Sequence, residues 1–177
     1  CAGVGYVVTA TFIVAIVNAQ PAMQGQGTWV FLVLGLAAAP ACILWDLIAR
    51  RTGPVNALIL ASLTQIVGIL LPVLGDGLLP AMAGAALFGG TFAGMVSLVM
   101  AMSGRYYPTR PAKMMSKMTA AYGIAQVLAP ALTGQLAARG GGYASGLYLA
   151  AAVMGVGVVL LIALGLIPDR GRETALG

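Results

Sequence analysis

Long runs without a charged residue are the feature that most limits how this chain can fold. Its nine Lys+Arg and four Asp+Glu residues leave five long uncharged runs, at 1–45, 52–75, 77–104, 118–138 and 140–168. A helix crosses a bilayer in about 20 apolar residues, so the last four runs hold one span each and the first can hold two. Polar residues, Pro and Gly at 18–27 predict a turn within the first run. We therefore predict six transmembrane helices, at about 1–17, 28–48, 55–74, 79–103, 113–137 and 145–167, followed by a tail at 169–177.

Composition excludes several classes of protein. Hydrophobic residues make up 60% of the chain and charged residues only 7%, against about 25% charged residues in a soluble domain. The chain has no His and only four carboxylates, and its two cysteines, Cys1 and Cys42, both lie in apolar surroundings. Because acid–base catalysis and metal binding need such groups, we expect no enzyme activity, no metal site and no cofactor.

The positions of the basic residues predict the topology. Basic residues concentrate in loops on cytoplasmic sides of membranes. Alternate predicted loops hold eight of them, Arg50, Arg51, Arg105, Arg110, Lys113, Lys117, Arg170 and Arg172, whereas the opposite loops hold only Arg139. We predict that both ends of the chain and its tail are cytoplasmic. The net charge of +5 then reflects the orientation of the chain in the membrane, with basic residues next to lipid headgroups. It does not indicate a nucleic-acid partner.

Small residues predict closely packed helices. The fourth predicted helix contains Gly84, Gly89, Gly90 and Gly94, and the last two form a GxxxG spacing. Membrane helices gain little hydrophobic energy from meeting each other and use small residues for close contact. Tight static packing explains this pattern, and a surface that slides during a conformational cycle is the alternative.

A polar stripe follows the fifth predicted helix. Thr119, Tyr122, Gln126, Pro130 and Thr133 are spaced to share one helical face. Polar side chains in a span must face protein or water, so the stripe either lines a solvated cavity or joins helices by hydrogen bonds. Pro130 removes a backbone hydrogen bond and permits a helix bend.

Two other predicted helices carry polar side chains. The first offers Tyr6 and Thr9 at similar spacing, and Tyr6 is the more informative because a buried tyrosine hydroxyl needs a partner. The third has Ser62 and Gln65 one turn apart, for which packing between helices is the favoured interpretation over a ligand site.

The segment WDLIARRTGPVNAL, between the second and third predicted helices, resembles the signature loop of the major facilitator superfamily. That loop has an Asp, a Gly and two final basic residues. Asp46, Arg50 and Arg51 match it, whereas Ala49 replaces the Gly and Leu47 a basic residue. The segment TAAYGIAQVLAPALTGQLA resembles the penultimate helix of transporters in this superfamily, and the segments GVGYVVTATF, LWDLIARR and LFGGTFAGMVSL together resemble the YbfB/YjiJ-like branch of bacterial transporters. The resemblance extends to about residue 168.

The resemblance implies an all-α membrane protein, namely the C-terminal six-helix half of a twelve-helix transporter, built from two inverted three-helix repeats. The first and fourth helices would face the central cavity, the second and fifth would flank it, and the third and sixth would lie outside. The cavity candidates are then Tyr6, Thr9, Thr91, Phe92, Tyr122 and Gln126. Asp46, held by Arg50 and Arg51, would latch a cytoplasmic gate against a helix N-terminus of the missing half.

We therefore expect a secondary active transporter in a bacterial inner membrane, moving a small solute by alternating access. Its expected partners are that solute, a coupling proton or other ion, the lipid bilayer and the N-terminal half of the same protein. The chain begins without Met, directly in an apolar helix, so we expect a fragment of a longer protein, with a processed or engineered start as the alternative. The other hypothesis is a self-contained six-helix protein, either a homodimerising half-transporter or a channel.

Overall fold

The computed structural model describes residues 1–19, 25–75, 77–106, 110–136 and 142–166. These residues form seven α-helices: α1 (Ala2–Ala19), α2 (Gly27–Ala38), α3 (Ala41–Thr52), α4 (Pro54–Leu74), α5 (Leu78–Tyr106), α6 (Pro111–Leu136) and α7 (Gly142–Leu166). The all-helical class is confirmed. The predicted tail at 169–177, and with it Arg170 and Arg172, lies outside the described residues, as does Arg139.

Three helical segments within the described residues are long and apolar enough to cross a membrane, at Pro54–Leu74, Leu78–Arg105 and Ser145–Gly165. The bent pair α2 and α3 adds a fourth if it forms one span. The polar stripe lowers the hydropathy of α6, which is otherwise long enough. Six spans and inverted repeats therefore stay predictions.

The predicted helix at 28–48 is two helices, which meet at 44°. The break falls at Ala39 and Pro40, where α2 has ended and α3 begins. Proline has no N–H to donate, and its ring displaces the carbonyl one turn earlier, so an unbent helix is unfavourable here. The carbonyl of Pro40 instead accepts the N–H of Leu44 at 3.0 Å and begins the first turn of α3.

The helix α3 continues further than predicted, to Thr52, so that Arg50 and Arg51 lie on the same helix as Asp46 rather than in a loop. Gly53 ends it with φ 89°, a left-handed value that favours glycine. Pro54 then occupies the first turn of α4, where its missing N–H costs nothing. The three charged side chains are therefore held on the last two turns of α3.

Apolar side chains occur both inside the bundle and on its outer surface. The largest fully buried ones include Ile13, Ile69, Phe88, Leu147 and Met154, from α1, α4, α5 and α7. On the outside, Leu36, Ile43 and Val127 are 66%, 69% and 72% exposed. An exposed apolar surface of this extent in a soluble monomer would promote association, whereas lipid covers it at no cost. The surface therefore fits a membrane protein.

Glycines of α5 allow two neighbouring helices to approach at backbone distance. A Cβ on Gly84 would lie 2.8 Å from the carbonyl oxygen of Gly68 in α4. A Cβ on Gly89 would lie 2.9 Å from the carbonyl carbon of Leu34 in α2. The close packing expected from the small residues is confirmed at these positions.

The indole of Trp45 packs against a third glycine of α5. It lies against Gly94, where an added Cβ would be 2.6 Å from the ring carbon Cγ. Its Nε1–H donates a hydrogen bond to the carbonyl of Gly90 at 2.7 Å. The two glycines of the GxxxG spacing therefore make room for a tryptophan of α3. The close contact and the hydrogen bond together fix α3 against α5.

Candidate functional site

A cavity of about 390 Å³ lies between five helices. Small-molecule sites are typically about 300–1,000 Å³. Its walls are formed by Cys1, by Ala2 and Tyr6 of α1, by Leu58, Ser62 and Gln65 of α4, by Phe92, Met95, Val96, Val99 and Met100 of α5, by Met118, Thr119 and Tyr122 of α6, and by Met154, Gly157 and Leu161 of α7. Helices α4 and α7, which the resemblance placed outside, thus contribute to this cavity.

Stacked aromatic rings form one wall. Tyr6 lies between Phe92 and Tyr122, with ring centroids 4.8 Å and 6.1 Å away and interplanar angles of 28° and 29°. Phe88 is fully buried next to this group, 6.4 Å from Tyr6 and 5.8 Å from Phe92. Three helices thus present rings of similar orientation to the cavity, a surface that suits another flat ring.

The polar atoms of the α4 wall differ in how they are satisfied. The hydroxyl of Ser62 donates to the carbonyl of Leu58 at 2.7 Å and also lies 3.4 Å from the sulfur of Met95. The side chain of Gln65 is fully buried, and neither its amide nitrogen nor its amide oxygen has a hydrogen-bond partner among the described residues. An unsatisfied buried polar group costs about 1–3 kcal/mol. Gln65 is therefore a buried residue of the cavity wall with unused hydrogen-bonding capacity.

Four methionines, Met95, Met100, Met118 and Met154, line the cavity. Their unbranched side chains and polarisable sulfurs adapt to irregular shapes and pack favourably on aromatic rings. No Asp, Glu, Lys or Arg is among the lining residues that the structure describes, and no cluster of metal-ligating side chains occurs within the described part of the chain. The cavity therefore offers apolar contact with few hydrogen-bonding groups.

The structure brings together three of the six cavity candidates predicted from the sequence. Tyr6, Phe92 and Tyr122 line the cavity, whereas Thr9, Thr91 and Gln126 do not. Thr91 is buried and donates to the carbonyls of Leu87 and Phe88, at 2.8 Å and 3.0 Å, within its own helix. Thr9 is buried with no partner for its hydroxyl among the described residues, and Gln126 is half-buried on α6.

The polar stripe of α6 divides between the cavity and the helix packing. Thr119 and Tyr122 line the cavity. Thr133 is fully buried and packs against Gly146 of α7. The helix continues through the half-buried Pro130. Thr119 and Tyr122 thus reach the cavity, and Thr133 lies between α6 and α7.

From the sequence, packing between helices was favoured over a ligand site for Ser62 and Gln65, although the structure places both in the cavity wall. The methionines of the wall were not singled out, because they resemble ordinary apolar residues in such a chain.

The charged residues of α3 lie apart from the residues that line the cavity. Nε of Arg50 donates to Oδ2 of Asp46 at 2.9 Å, one helical turn away. Both side chains are exposed, by 73% and 54%. Among the described residues Arg51 makes no ion pair with Asp46. The structure therefore supports the expected contact with Asp46 for only one of the two arginines.

Comparison with known proteins gives one family. A family model described as "Uncharacterised MFS-type transporter YbfB" matches residues 1–162. No curated protein matches the chain, and no solved structure does. The match covers the helices that enclose the cavity, and the chain therefore belongs to the YbfB-like family of major facilitator transporters.

Proposed function

We propose that this chain is part of a secondary active transporter that moves a small solute across a bacterial inner membrane by alternating access. The observation that carries the proposal is a cavity of ligand size in a member of a transporter family. The described lining residues include no carboxylate or His, so we place any coupling site for a proton in another part of the protein.

We further propose that the chain forms the C-terminal six-helix half and works with an N-terminal half of the same protein. The match of Asp46, Arg50 and Arg51 to the superfamily loop supports this assignment. Exposed basic residues end α3 and α5 and begin α6, namely Arg50, Arg51, Arg105, Lys113 and Lys117. Their positions support a cytoplasmic location for these helix ends, and with it cytoplasmic chain termini.

Asp46 is our candidate for the cytoplasmic gate. Its ion pair with Arg50 is exposed, and such pairs contribute only about 0–1 kcal/mol to stability. The carboxylate is therefore available to a partner, and a helix N-terminus attracts it by about 0.3–1 kcal/mol. In the proposed cycle, Asp46 binds such an N-terminus in the other half when the cytoplasmic side is closed.

Thiol labelling of the cavity tests alternating access. Cys1 and Cys42 are exposed and are first replaced by Ala in the full reading frame. Thr119, an exposed residue of the cavity wall, is then changed to Cys and labelled with a membrane-impermeant thiol reagent in inside-out vesicles. We expect Asp46→Asn to speed labelling about 2- to 5-fold, because it weakens the closed gate, while Asp46→Glu leaves the rate unchanged.

Two results would contradict the proposal. An unchanged labelling rate in Asp46→Asn removes Asp46 from the gate. Labelling that is equally fast from both membrane faces, in both variants, indicates a continuous pore and supports the channel alternative instead.

A further inference from the structure

Gln65 is a fully buried polar side chain of the cavity wall whose hydrogen bonds are unmade among the described residues. This holds for its amide nitrogen and its amide oxygen alike. A glutamine amide has two N–H donors and an acceptor oxygen. The neighbouring Ser62 is already satisfied by the carbonyl of Leu58. Gln65 is thus the group with the most to gain from a ligand.

A ligand in the cavity must displace a neighbouring side chain to reach this amide, because Gln65 lines the cavity but has no exposed surface. Met95 also lines the cavity and contacts Ser62, one turn from Gln65 on α4. Its unbranched side chain has several accessible rotamers, so Met95 is the candidate for this displacement.

The aromatic wall of the cavity favours a flat ring. Tyr6, Phe92 and Tyr122 come from three different helices. The centroid of the Tyr6 ring lies 4.8 Å from that of Phe92 and 6.1 Å from that of Tyr122. Offset stacking of a further ring adds favourable energy beyond simple burial. The methionines adapt to the remaining outline of the molecule.

Charge and strong polarity select against other solutes. A charged molecule would lose its hydration and find no opposite charge among the described lining residues. A sugar has many hydroxyl groups, and the polar side chains of the described wall, Ser62, Gln65, Thr119 and two tyrosines, are too few to satisfy them all. An uncharged molecule with one hydrogen-bonding group matches this wall better than either.

We infer that the cavity binds a neutral, flat aromatic molecule with one hydrogen-bonding group, and that the amide of Gln65 binds that group. The inference rests on the proposed transport function for its biological meaning. The binding itself can be measured without transport.

Two probes that differ by one hydroxyl test the inference. Equilibrium dialysis measures the binding of radiolabelled naphthalene and 2-naphthol to the full-length protein in nanodiscs, with empty nanodiscs subtracted. We expect the wild-type protein to bind 2-naphthol about 3- to 10-fold more tightly, the usual contribution of one hydrogen bond. Naphthoate, the anionic analogue, should not compete.

The Gln65→Met variant removes the amide while keeping an unbranched side chain of similar length. It should abolish the preference for 2-naphthol and leave naphthalene binding intact, which also shows that the cavity is folded. Gln126→Met is the matched control, because Gln126 does not line the cavity, and it should keep the preference. If Gln65→Met binds neither probe, Gln65→Leu is measured in the same way.

The inference is overturned if the wild type shows no preference, if Gln65→Met and Gln65→Leu retain it, or if naphthoate binds equally well. Uptake of 2-naphthol into proteoliposomes separates this inference from the proposed function. Gln65-dependent binding without uptake of any solute tested supports the site and contradicts the transporter. Solute uptake that is insensitive to Gln65→Met, with no probe preference, supports the transporter and contradicts the site.

Discussion

The contact between Gly89 of α5 and Leu34 of α2 makes a sharp prediction for the variant Gly89→Ala. The new Cβ would collide with the carbonyl oxygen of Leu34 and lie 2.9 Å and 3.1 Å from its carbonyl carbon and Cα. All three atoms belong to the backbone of Leu34, so no side chain can rotate to relieve the contact. The helix α2 would have to move away from α5 to restore ordinary contact distances of 3.4–4 Å.

The free energy of unfolding should fall by about 2 kcal/mol in Gly89→Ala. Overpacking of a tight interface costs about 1–3 kcal/mol, and more when the backbone must shift. The gain in helix propensity from Gly to Ala offsets at most about 1 kcal/mol of this. The neighbouring variant Gly90→Ala is the control, because a Cβ there meets only the carbonyl oxygen of Ala37, at 3.9 Å.

Unfolding in mixed micelles, titrated with a denaturing detergent and followed by tryptophan fluorescence, measures both variants. We expect Gly90→Ala to be as stable as the wild type or slightly more so, since it gains helix propensity without a collision. Equal stability of Gly89→Ala and Gly90→Ala would refute the reasoning, because it would mean that α2 and α5 do not meet at backbone distance.

Two further substitutions have matched controls. Trp45→Phe should lower the free energy of unfolding by about 2 kcal/mol, because it removes the 2.7 Å hydrogen bond to α5 and leaves a gap. Its control is Trp29→Phe, at a tryptophan that is 63% exposed, which should change the free energy of unfolding by less than about 0.5 kcal/mol. Tyr122→Leu should weaken the binding of naphthalene and of 2-naphthol alike by about 2- to 10-fold, because it removes a ring from the aromatic wall, while Tyr148→Leu, outside the cavity lining, should not. Gln126→Ala should also leave this binding unchanged, and a loss equal to that of Tyr122→Leu would return Gln126 to the site.

The all-helical class could be predicted because uncharged runs of membrane length leave a chain few other structures. The break between α2 and α3 could not be placed in the same way. Pro40 lies within the apolar sequence AAAPACIL, and a hydropathy pattern does not distinguish a bent span from a straight one. The contact of Trp45 with Gly94 holds the bend, and it depends on the relative rotation of two helices.

Which residues line the cavity was harder to predict, for a different physical reason. In a soluble helix, the apolar face marks the interior. Here lipid replaces water, and Ile69, which is fully buried, looks no different in sequence from Val127, which is 72% exposed. Tyr6, Phe92 and Tyr122 became candidates from their polar groups or from the family resemblance, whereas nothing in the sequence distinguished the methionines of the wall from other apolar residues.

The comparison of Gln65 with the hydroxyl-bearing residues of the bundle gives the strongest reason to regard it as a ligand group. Ser62 and Thr91 donate to carbonyls of their own helices. Thr9 and Thr133 have no hydrogen-bond partner among the described residues, but their short hydroxyls can rotate toward a carbonyl of their own helix. The amide of Gln65 is longer and has three hydrogen-bonding sites, so its own helix cannot satisfy it in this way. A leucine or methionine there would fill similar space without the cost of about 1–3 kcal/mol for an unpaired buried group. A glutamine at this point of the cavity wall is therefore better explained by a molecule that enters the cavity than by the packing of α4.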